Sequence, residues 1–373
     1  MDVIIIGGGL IGLSSAYELA KRGANVRVVD AHERRKPASW ASAGILSPYI
    51  DHIPSPKLEG LCSDSLACYP SFVDGLRTYS DIDPWLRIEG NLKTLVNDED
   101  VATARARITE LCSRGFHAYY LDAQEARSAE PRLGPNVVGA MIVEEEGQIE
   151  SRRLLRALSA ACLTLGVDIA PIDAHAVRID KGYVCGVDTS DGFIPASIVI
   201  NAAGAWASQI DGLPEDVRVP VEPVKGQMLA LTMPNDFVRQ VVWFSTGAKG
   251  YAVPRNDGRL LIGATMERVG FDLRVTAQGL RALLDAALAV LPSLRDFAVV
   301  ETWAGLRPES SDGAPVIGAT SLHGYILATG HFRYGVLLTP ISARLIADTV
   351  EGRPLPAYAE AFSPKRFAAP VYP

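Results

Sequence analysis

A glycine-rich turn near the start of the chain, VIIIGGGLIG, constrains the fold more than any other stretch. Residues 2–6 are predicted as a short buried parallel strand, because residues 3–6 are apolar and β-branched. Residues 10–21 have the apolar spacing of a helix. Gly7, Gly9 and Gly12 connect the two with the spacing GxGxxG. In that setting the first glycine allows a tight turn, the second lets the backbone approach a pyrophosphate, and the third lets helix and strand pack closely. The stretch therefore predicts a dinucleotide-binding unit with phosphates at the helix N-terminus.

The acid that closes the second predicted strand narrows the choice of nucleotide. Asp30 ends the segment NVRVVD, about 20 residues after the glycines, where a carboxylate accepts hydrogen bonds from ribose hydroxyls. Its negative charge would repel a 2′-phosphate, which argues against NADP. The local motif leaves NAD and FAD open, but two later segments, INAAGAW and YILATGHFRYGVLLTP, place small residues after a buried strand. Because an extended flavin cofactor needs such additional contacts, these segments favour FAD.

Composition excludes several classes of protein. The chain has 373 residues, of which 48% are hydrophobic and 21% charged, as expected for a soluble protein with a large core. A net charge of −7 argues against nucleic acid or an anionic membrane as the main partner. No apolar run reaches the roughly 18 residues of a membrane span, and no basic segment precedes the first one, so we expect a cytoplasmic protein. The five cysteines form no CxxC pair and the six histidines are scattered, which predicts reduced thiols and no metal.

The order of predicted elements indicates an α/β protein with a discontinuous Rossmann-type domain. Segments in which predicted strands and helices follow one another alternate with segments rich in strands and turns, such as VEPVKGQMLALTM. We expect residues 1–50, 145–220 and 305–373 to form the FAD-binding domain. Residues 51–144 and 221–304 are expected to form an inserted substrate-binding domain built on a mostly antiparallel sheet.

Local patterns add further predictions. The segment WLRIEGNLKTLVN, residues 85–97, is typical of a hairpin, and residues 36–60, rich in Pro, Ser, Ala and Gly, are predicted as loop with short helical pieces. The last helix is predicted over residues 336–350. The acidic triplets at 98–100 and 144–146 are interpreted as solvated charge.

Seven segments together resemble the glycine oxidase branch of the FAD-dependent D-amino acid oxidase and sarcosine oxidase family: IIIGGGLIG, WASAGILSP, INAAGAW, PVKGQMLAL, YAVPRNDGRLLIGATM, WAGLRPESSDGAPVIG and GHFRYGVLLTP. The resemblance extends from residue 2 to about residue 352. It implies FAD, a two-domain fold and the oxidation of a small amine by a flavin. Members of this family are often tetrameric, so the resemblance leaves a homo-oligomer open.

The resemblance assigns four residues to the substrate. Arg307, in GLRP, would pair with the substrate carboxylate, because a planar guanidinium offers two parallel donors. Tyr251 would hold the same carboxylate through its hydroxyl, and Met266 would line the substrate pocket. Arg333 would lie near the flavin and the opening for substrate. No side chain is expected to act as a catalytic acid or base.

The resemblance also implies a set of cofactor residues, from the pyrophosphate through the adenosine to the flavin ring. These are Gly7, Gly9, Leu10, Ile11, Gly12, Asp30, Ala31, Ser39, Ala43, Gly44, Ile45, His175, Gly204, Gly330, His331, Phe332, Arg333, Tyr334, Gly335, Val336 and Leu337. Sarcosine oxidases attach their flavin to a cysteine near the C-terminal segment. This chain has no cysteine after Cys185, so we expect FAD to be bound non-covalently.

Three departures from the family pattern fall near the expected pocket mouth. Tyr334 replaces a common asparagine, Lys249-Gly250 stands where a histidine can occur, and Glu309 follows GLRP in place of a small glycine turn. They leave the carboxylate residues intact but bear on the amine side of the substrate. The substrate could therefore be larger than glycine.

The implied reaction is oxidation of glycine or an N-substituted glycine by hydride transfer from the α-carbon to flavin N5. The imine would hydrolyse to glyoxylate plus amine or ammonia, and O2 would be reduced to H2O2. Three alternatives remain open. One is a specialised oxidase that removes a carboxymethyl group from a larger secondary amine. The others are a dehydrogenase with a non-oxygen acceptor and a flavin-binding protein without turnover.

Overall fold

A computed structural model of the chain describes residues 2–31, 37–234, 237–245 and 250–367. The helices in these ranges are α1 (Leu10–Lys21), α2 (Ala38–Ala41), α3 (Pro56–Arg77), α4 (Asp98–Ser113), α5 (Ala123–Ala129), α6 (Ser151–Thr164), α7 (Ala277–Val290) and α8 (Thr339–Val350). The strands are β1 (Asp2–Ile6), β2 (Asn25–Val29), β3 (Ile45–Leu46), β4 (Arg87–Ile88), β5 (Asn91–Leu95), β6 (Ala118–Asp122), β7 (Gly139–Val143), β8 (Gly147–Gln148), β9 (Asp168–Ala170), β10 (Ala174–Asp180), β11 (Tyr183–Thr189), β12 (Gly192–Pro195), β13 (Ile198–Asn201), β14 (Val221–Thr232), β15 (Val241–Phe244), β16 (Gly250–Pro254), β17 (Arg259–Gly263), β18 (Val299–Ser310), β19 (Val316–Ala319) and β20 (Tyr325–Thr329).

The first large sheet carries the glycine turn. Its described strands lie in the order β19-β20-β13-β1-β2-β9, and β1 pairs in parallel with both β2 and β13. Ile5, which is fully buried, lies between Val28 and Ile200. Helix α1 follows β1 and packs against α6 and α8. Since strand order reverses around β1, the turn after β1 lies where open α/β sheets bind their ligands.

The second large sheet is mostly antiparallel. Its described strands lie in the order β18-β14-β17-β16-β15-β5-β7-β6, and among these neighbours β15 and β5 are the parallel pair. Helix α7 packs against β14, and its residues Leu283 and Ala287 belong to the same buried apolar cluster as Leu229 and Leu231 of that strand. The fold class expected from the sequence, an α/β nucleotide sheet with a mostly antiparallel second sheet, is confirmed.

The boundaries of the two domains stay a prediction. The strands of the first sheet come from residues 2–29, 168–201 and 316–329, and those of the second from 91–143 and 221–310. Two smaller sheets accompany them, with the strand orders β10-β11-β12 and β3-β8-β4. Residues 368–373, which the prediction assigned to the FAD-binding domain, lie outside the described ranges.

The predicted hairpin over residues 85–97 is wrong. Strand β4 pairs with β8, whereas β5 pairs with β7 and β15, so the two strands belong to different sheets. Gly90 between them has a φ of 81° and donates its N–H to the carbonyl of Glu146 at 2.9 Å. The turn therefore passes the chain from one sheet to the other, and each strand takes its partners from later in the chain.

Two predicted element limits also differ from the structure. The segment predicted as loop with short helical pieces contains the short helix α2, but the long helix α3 also begins in it. That helix begins at Pro56, because proline fits the first turn of a helix and the Ser55 hydroxyl accepts from the N–H of Leu58 at 3.4 Å. Residue 36 of that segment lies outside the described ranges. The last helix begins at Thr339, since Phe332–Tyr334 form a separate 3₁₀ turn.

The described ranges contain neither a candidate membrane-spanning helix nor a candidate metal site. None of the helices there is long and apolar enough to cross a bilayer. In the same part of the chain, no three His, Cys, Asp or Glu side chains are placed to hold a metal ion together.

Candidate active site

A cavity of about 590 Å³ is lined by residues of both large sheets. The turn after β1, the segment around α2 and the segment after β20 line it together with β14, β16 and β18. Sequence positions that are far apart therefore meet at one cavity.

The cavity wall contains the four predicted substrate residues and most of the predicted cofactor residues. These are Arg307, Tyr251, Met266, Arg333, Gly7, Gly9, Leu10, Ile11, Asp30, Ala31, Ser39, Ala43, Gly44, Ile45, Gly204, His331, Phe332, Tyr334, Gly335, Val336 and Leu337. The wall does not include Gly12, His175 or Gly330. His175 lies exposed on β10, and its neighbour Ala174 lines the cavity instead.

The glycine turn leaves room for a ligand beside the N-terminus of α1. Gly7 has a φ of 106°, and a Cβ on Gly12 would stand 1.9 Å from the Gly7 carbonyl oxygen. Gly9 has more open space around it, because among the described residues only Ser39 Oγ lies within 4 Å of an added Cβ, at 3.1 Å. Gly7 and Gly12 are thus needed for the turn itself. Gly9 borders the cavity, where the helix N-terminus favours phosphate.

Arg307 and Tyr251 provide donors for an anion in the same wall. Arg307 Nη1 donates to the carbonyl of Thr265 at 3.1 Å. Burial raises the pKa of the Tyr251 phenol, and the nearby Arg307 guanidinium opposes that rise. The phenol is therefore protonated at neutral pH and can donate beside the guanidinium.

Arg333 is balanced by a carboxylate that also lines the cavity. Its Nη1 lies 2.5 Å from Asp51 Oδ2, and its Nε and Nη2 donate to the Tyr334 hydroxyl at 3.0 and 2.9 Å. Tyr334 thus helps to hold the Arg333 side chain in place, because its hydroxyl oxygen accepts hydrogen bonds from that guanidinium.

The other two departures from the family pattern have different outcomes. Glu309 forms an ion pair with Arg268 and does not line the cavity. Lys249 lies outside the described residues. Met266 is in the wall and is 59% exposed, which places it at the opening of the cavity.

Sequence reasoning missed Glu146, which shapes one part of the wall. Its side chain is fully buried, and its carboxylate accepts from the N–H groups of Tyr49 and Ile50, at 2.6 and 2.9 Å, and from Asn91 Nδ2, at 3.1 Å. Burial raises its pKa to about 7, while these donors act in the opposite direction. The contacts hold residues 47–51, and with them the partner of Arg333.

The interpretation of both acidic triplets as solvated charge is therefore wrong in part. Glu146 is buried, although Glu144 is exposed. Asp100 lines the cavity, and its Oδ2 accepts from the N–H of Val96 at 3.1 Å. No sequence signal separates these acids from their neighbours, because each lies in a run of like charge.

His331 supplies a pH dependence that can be measured. It is 2% exposed and its Nε2 lies 2.9 Å from Ser342 Oγ. Burial lowers its pKa to about 3, whereas an unfolded histidine titrates near 6.5. Between these values the unfolded chain binds a proton that the folded chain does not, so stability falls as pH falls through this window. We expect a loss of up to about 1.4 kcal/mol per pH unit from this group below pH ~6.

The measurement is chemical denaturation of the holoenzyme at pH 7, 6 and 5. His331→Asn removes the titrating group, so its stability should decline less steeply with acid than that of the parent chain. Equal slopes for the two proteins would contradict the assignment.

A strand–glycine turn–helix unit that shares one cavity with Asp30 and Arg307 is typical of a nucleotide-dependent oxidoreductase of the flavoprotein type. The family model described as FAD dependent oxidoreductase matches residues 2–349. The chain belongs to this family, and its cofactor is FAD.

Known relatives cover most of the chain. It is 36% identical to the glycine oxidase of Pseudomonas putida over 94% of each chain. The structure of glycine oxidase from Geobacillus kaustophilus matches with a TM-score of 0.89 and 32% identity, covering 100% of this chain and 98% of that one. That of iminodiacetate oxidase from Chelativorans sp. BNC1 matches with a TM-score of 0.89 and 29% identity, covering 97% of this chain and 98% of that one.

Other relatives are longer than this chain. It is 35% identical to the bifunctional protein ThiO/ThiG of Synechocystis sp. over its whole length, but spans only 55% of that protein. The chain therefore covers about half the length of these bifunctional relatives.

The described wall fits FAD. The space beside Gly9, next to the N-terminus of α1, suits a pyrophosphate. Asp30 lies in the wall where a ribose is expected, and residues 331–337, which follow β20, line the cavity as well. None of the five cysteines lies in the described wall, so no thiol there is placed to bond to the cofactor.

Proposed function

We propose that this chain oxidises the carbon–nitrogen bond of glycine or an N-substituted glycine and passes the electrons to O2. The observation that carries the proposal is the presence of Arg307 and Tyr251 in the same cavity wall as the glycine turn. When bound, FAD supplies the hydride acceptor for this chemistry.

The protein's part in this reaction is positioning. The Arg307 guanidinium offers parallel N–H donors to a carboxylate, and the neutral Tyr251 phenol adds a donor beside it. Holding the carboxylate fixes the neighbouring α-carbon, and orientation of this kind supplies several kcal/mol of the barrier reduction. Relatives of this chain that are named glycine oxidases support a small amino acid as substrate.

The test uses the purified holoenzyme with glycine, N-methylglycine and iminodiacetate. We expect each productive substrate to bleach the flavin absorbance without air and to yield one H2O2 per turnover in air. Bleaching without peroxide would indicate a dehydrogenase with another acceptor. If no amine bleached the flavin, the chain would be a flavin-binding protein without turnover and the proposal would be wrong.

The Asp51–Arg333 pair favours a second candidate, an oxidase that removes a carboxymethyl group from a larger secondary amine. Arg333 is a second guanidinium in the same wall as Arg307, and its partner is a carboxylate within 2.5 Å. A substrate with two carboxylates could place one on each arginine by displacing Asp51. The structural relative named iminodiacetate oxidase supports such a substrate. If glycine is oxidised at least as efficiently as every N-substituted form, this candidate fails.

Asp51→Asn tests the second candidate directly. Removing the competing charge should lower the KM for iminodiacetate about three- to tenfold, because rim charge pairs contribute on the order of 1 kcal/mol. The KM for glycine should change less than twofold, since glycine has no second carboxylate. Steady-state kinetics with both substrates provide the measurement. An equal change for both would mean that Asp51 affects the site in general.

A further inference from the structure

We infer that Gly226 and the Lys225–Glu267 pair are positioning residues for Arg307, holding its guanidinium flat in the cavity wall. The inference rests on the proposed function, because it concerns the carboxylate site of that function. It assigns a role to the segment VKGQ of β14, which no part of the proposed reaction uses directly.

The first support is the bare backbone of Gly226. In the ladder between β14 and β18, Arg307 lies opposite Val224, and Gly226 lies opposite Gly305. A Cβ built on Gly226 would stand 2.4 Å from both Nη1 and Nη2 of Arg307, and 2.6 Å from its Cζ. The guanidinium therefore lies directly over position 226. Since Gly226 does not have a positive φ, its glycine is required for room and not for backbone conformation.

The second support is the carbonyl that holds one guanidinium nitrogen. Thr265 accepts from Arg307 Nη1 through its backbone oxygen, at 3.1 Å. Thr265 is itself held to β14, because its N–H donates to the Gln227 carbonyl at 3.2 Å and its hydroxyl accepts from the Gln227 N–H at 2.8 Å. The position of this carbonyl thus depends on the pairing of two backbone segments.

An ion pair between a buried lysine and a half-buried glutamate strengthens that pairing. Lys225 is 1% exposed, and its Nζ lies 2.9 Å from Glu267 Oε2. The other carboxylate oxygen of Glu267 accepts from Gln227 Nε2 at 2.7 Å and from the Thr265 hydroxyl at 2.5 Å. Lys225 and Glu267 also exchange two backbone hydrogen bonds, both 2.9 Å long. Removing the Glu267 charge would leave the buried Lys225 ammonium without its carboxylate partner, which is costly.

Gly226 and the Thr265 carbonyl contact the Arg307 guanidinium from different directions. Successive side chains of a strand point to opposite faces, so Gly226 faces Arg307 while Lys225 and Gln227 serve the segment 265–267. A guanidinium held in one plane offers its donors to a carboxylate with less loss of side-chain freedom. Affinity for the substrate carboxylate should therefore depend both on the glycine at position 226 and on the pairing of β14 with the segment 265–267.

The test begins with Gly226→Ala in the holoenzyme. Glycolate is the probe, because it has a carboxylate of glycine's size and no amine, and its binding is followed by the change in flavin absorbance. We expect its dissociation constant and the KM for glycine to rise at least tenfold, since small misplacement of a binding group has large effects. FAD content should change less than twofold, whereas kcat should also fall, because a misplaced carboxylate no longer fixes the α-carbon. Gly60→Ala is the matched control, because no described atom lies within 4 Å of a Cβ there.

A double-mutant cycle separates positioning from general distortion. With Arg307→Met as background, Gly226→Ala should change the glycolate dissociation constant less than twofold. The same loss in both backgrounds would overturn the inference. If Arg307→Met alone left glycolate binding unchanged, the carboxylate site of the proposed function would be wrong, and this inference with it.

Glu267→Gln provides an independent variant if Gly226→Ala yields no holoenzyme. It keeps the size of the side chain but removes the charge that Lys225 requires. We expect the glycolate dissociation constant to rise at least threefold, and again no further rise in the Arg307→Met background. Unchanged glycolate binding by this variant would overturn the role of the ion pair.

Discussion

Replacement of Arg307 by alanine is expected to raise the KM for glycine about a hundredfold while FAD stays bound. The guanidinium offers charge-assisted hydrogen bonds to a carboxylate, and the loss of such contacts costs about 3 kcal/mol. The side chain contacts the Thr265 carbonyl and overlies Gly226, so its removal leaves the glycine turn untouched. Peroxide-coupled kinetics and the ratio of flavin to protein absorbance provide the two measurements.

Arg307→Lys is the matched control for this prediction. Lysine keeps the charge but cannot present two parallel donors, so its KM should lie between those of the parent chain and the alanine variant. Loss of flavin from Arg307→Ala would show that Arg307 supports the cofactor and not the substrate. An unchanged KM would remove the carboxylate site altogether.

Gly9→Val is expected to give a folded protein that purifies without FAD. The valine side chain would occupy the space beside the N-terminus of α1, where a pyrophosphate must approach the backbone. Because Ser39 Oγ is the described atom within 4 Å of the new Cβ, the fold itself should accept the change. The absorbance spectrum and thermal unfolding of the apoprotein, before and after addition of FAD, provide the measurement.

Gly12→Ala serves as a contrast on the same turn. Its Cβ would collide with the Gly7 carbonyl, so we expect loss of folded protein and not only loss of cofactor. A yellow Gly9→Val protein with a full complement of FAD would contradict the placement of the pyrophosphate.

The nucleotide-binding unit could be predicted because its signals are local. The turn from Gly7 to Gly12 lies between a strand and a helix that the sequence pattern also predicts, and their limits agree with β1 and α1. The substrate residues came from the family resemblance and not from spacing, since nothing local distinguishes Arg307 from other arginines. The structure brings those residues to one cavity wall.

The features that could not be predicted depend on partners distant in the sequence. Arg333 meets Asp51 only because two remote segments line one cavity. Glu146 resembles a surface acid until the fold encloses it with the N–H groups of Tyr49 and Ile50. Strands β4 and β5 have the local sequence pattern of a hairpin, but each pairs with strands that come later in the chain. A local pattern carries no information about such distant pairing.

The central position of β1 has a consequence for how the protein acquires its cofactor during synthesis. On one side β1 pairs with β13, which in turn pairs with β20, and residues 331–337 of the wall follow β20. A nascent chain on the ribosome therefore presents the glycine turn long before its neighbouring strand and the opposite wall have been translated. Contacts of such long range form slowly, so the complete cavity wall is available to the flavin only after residues 331–337 have been translated.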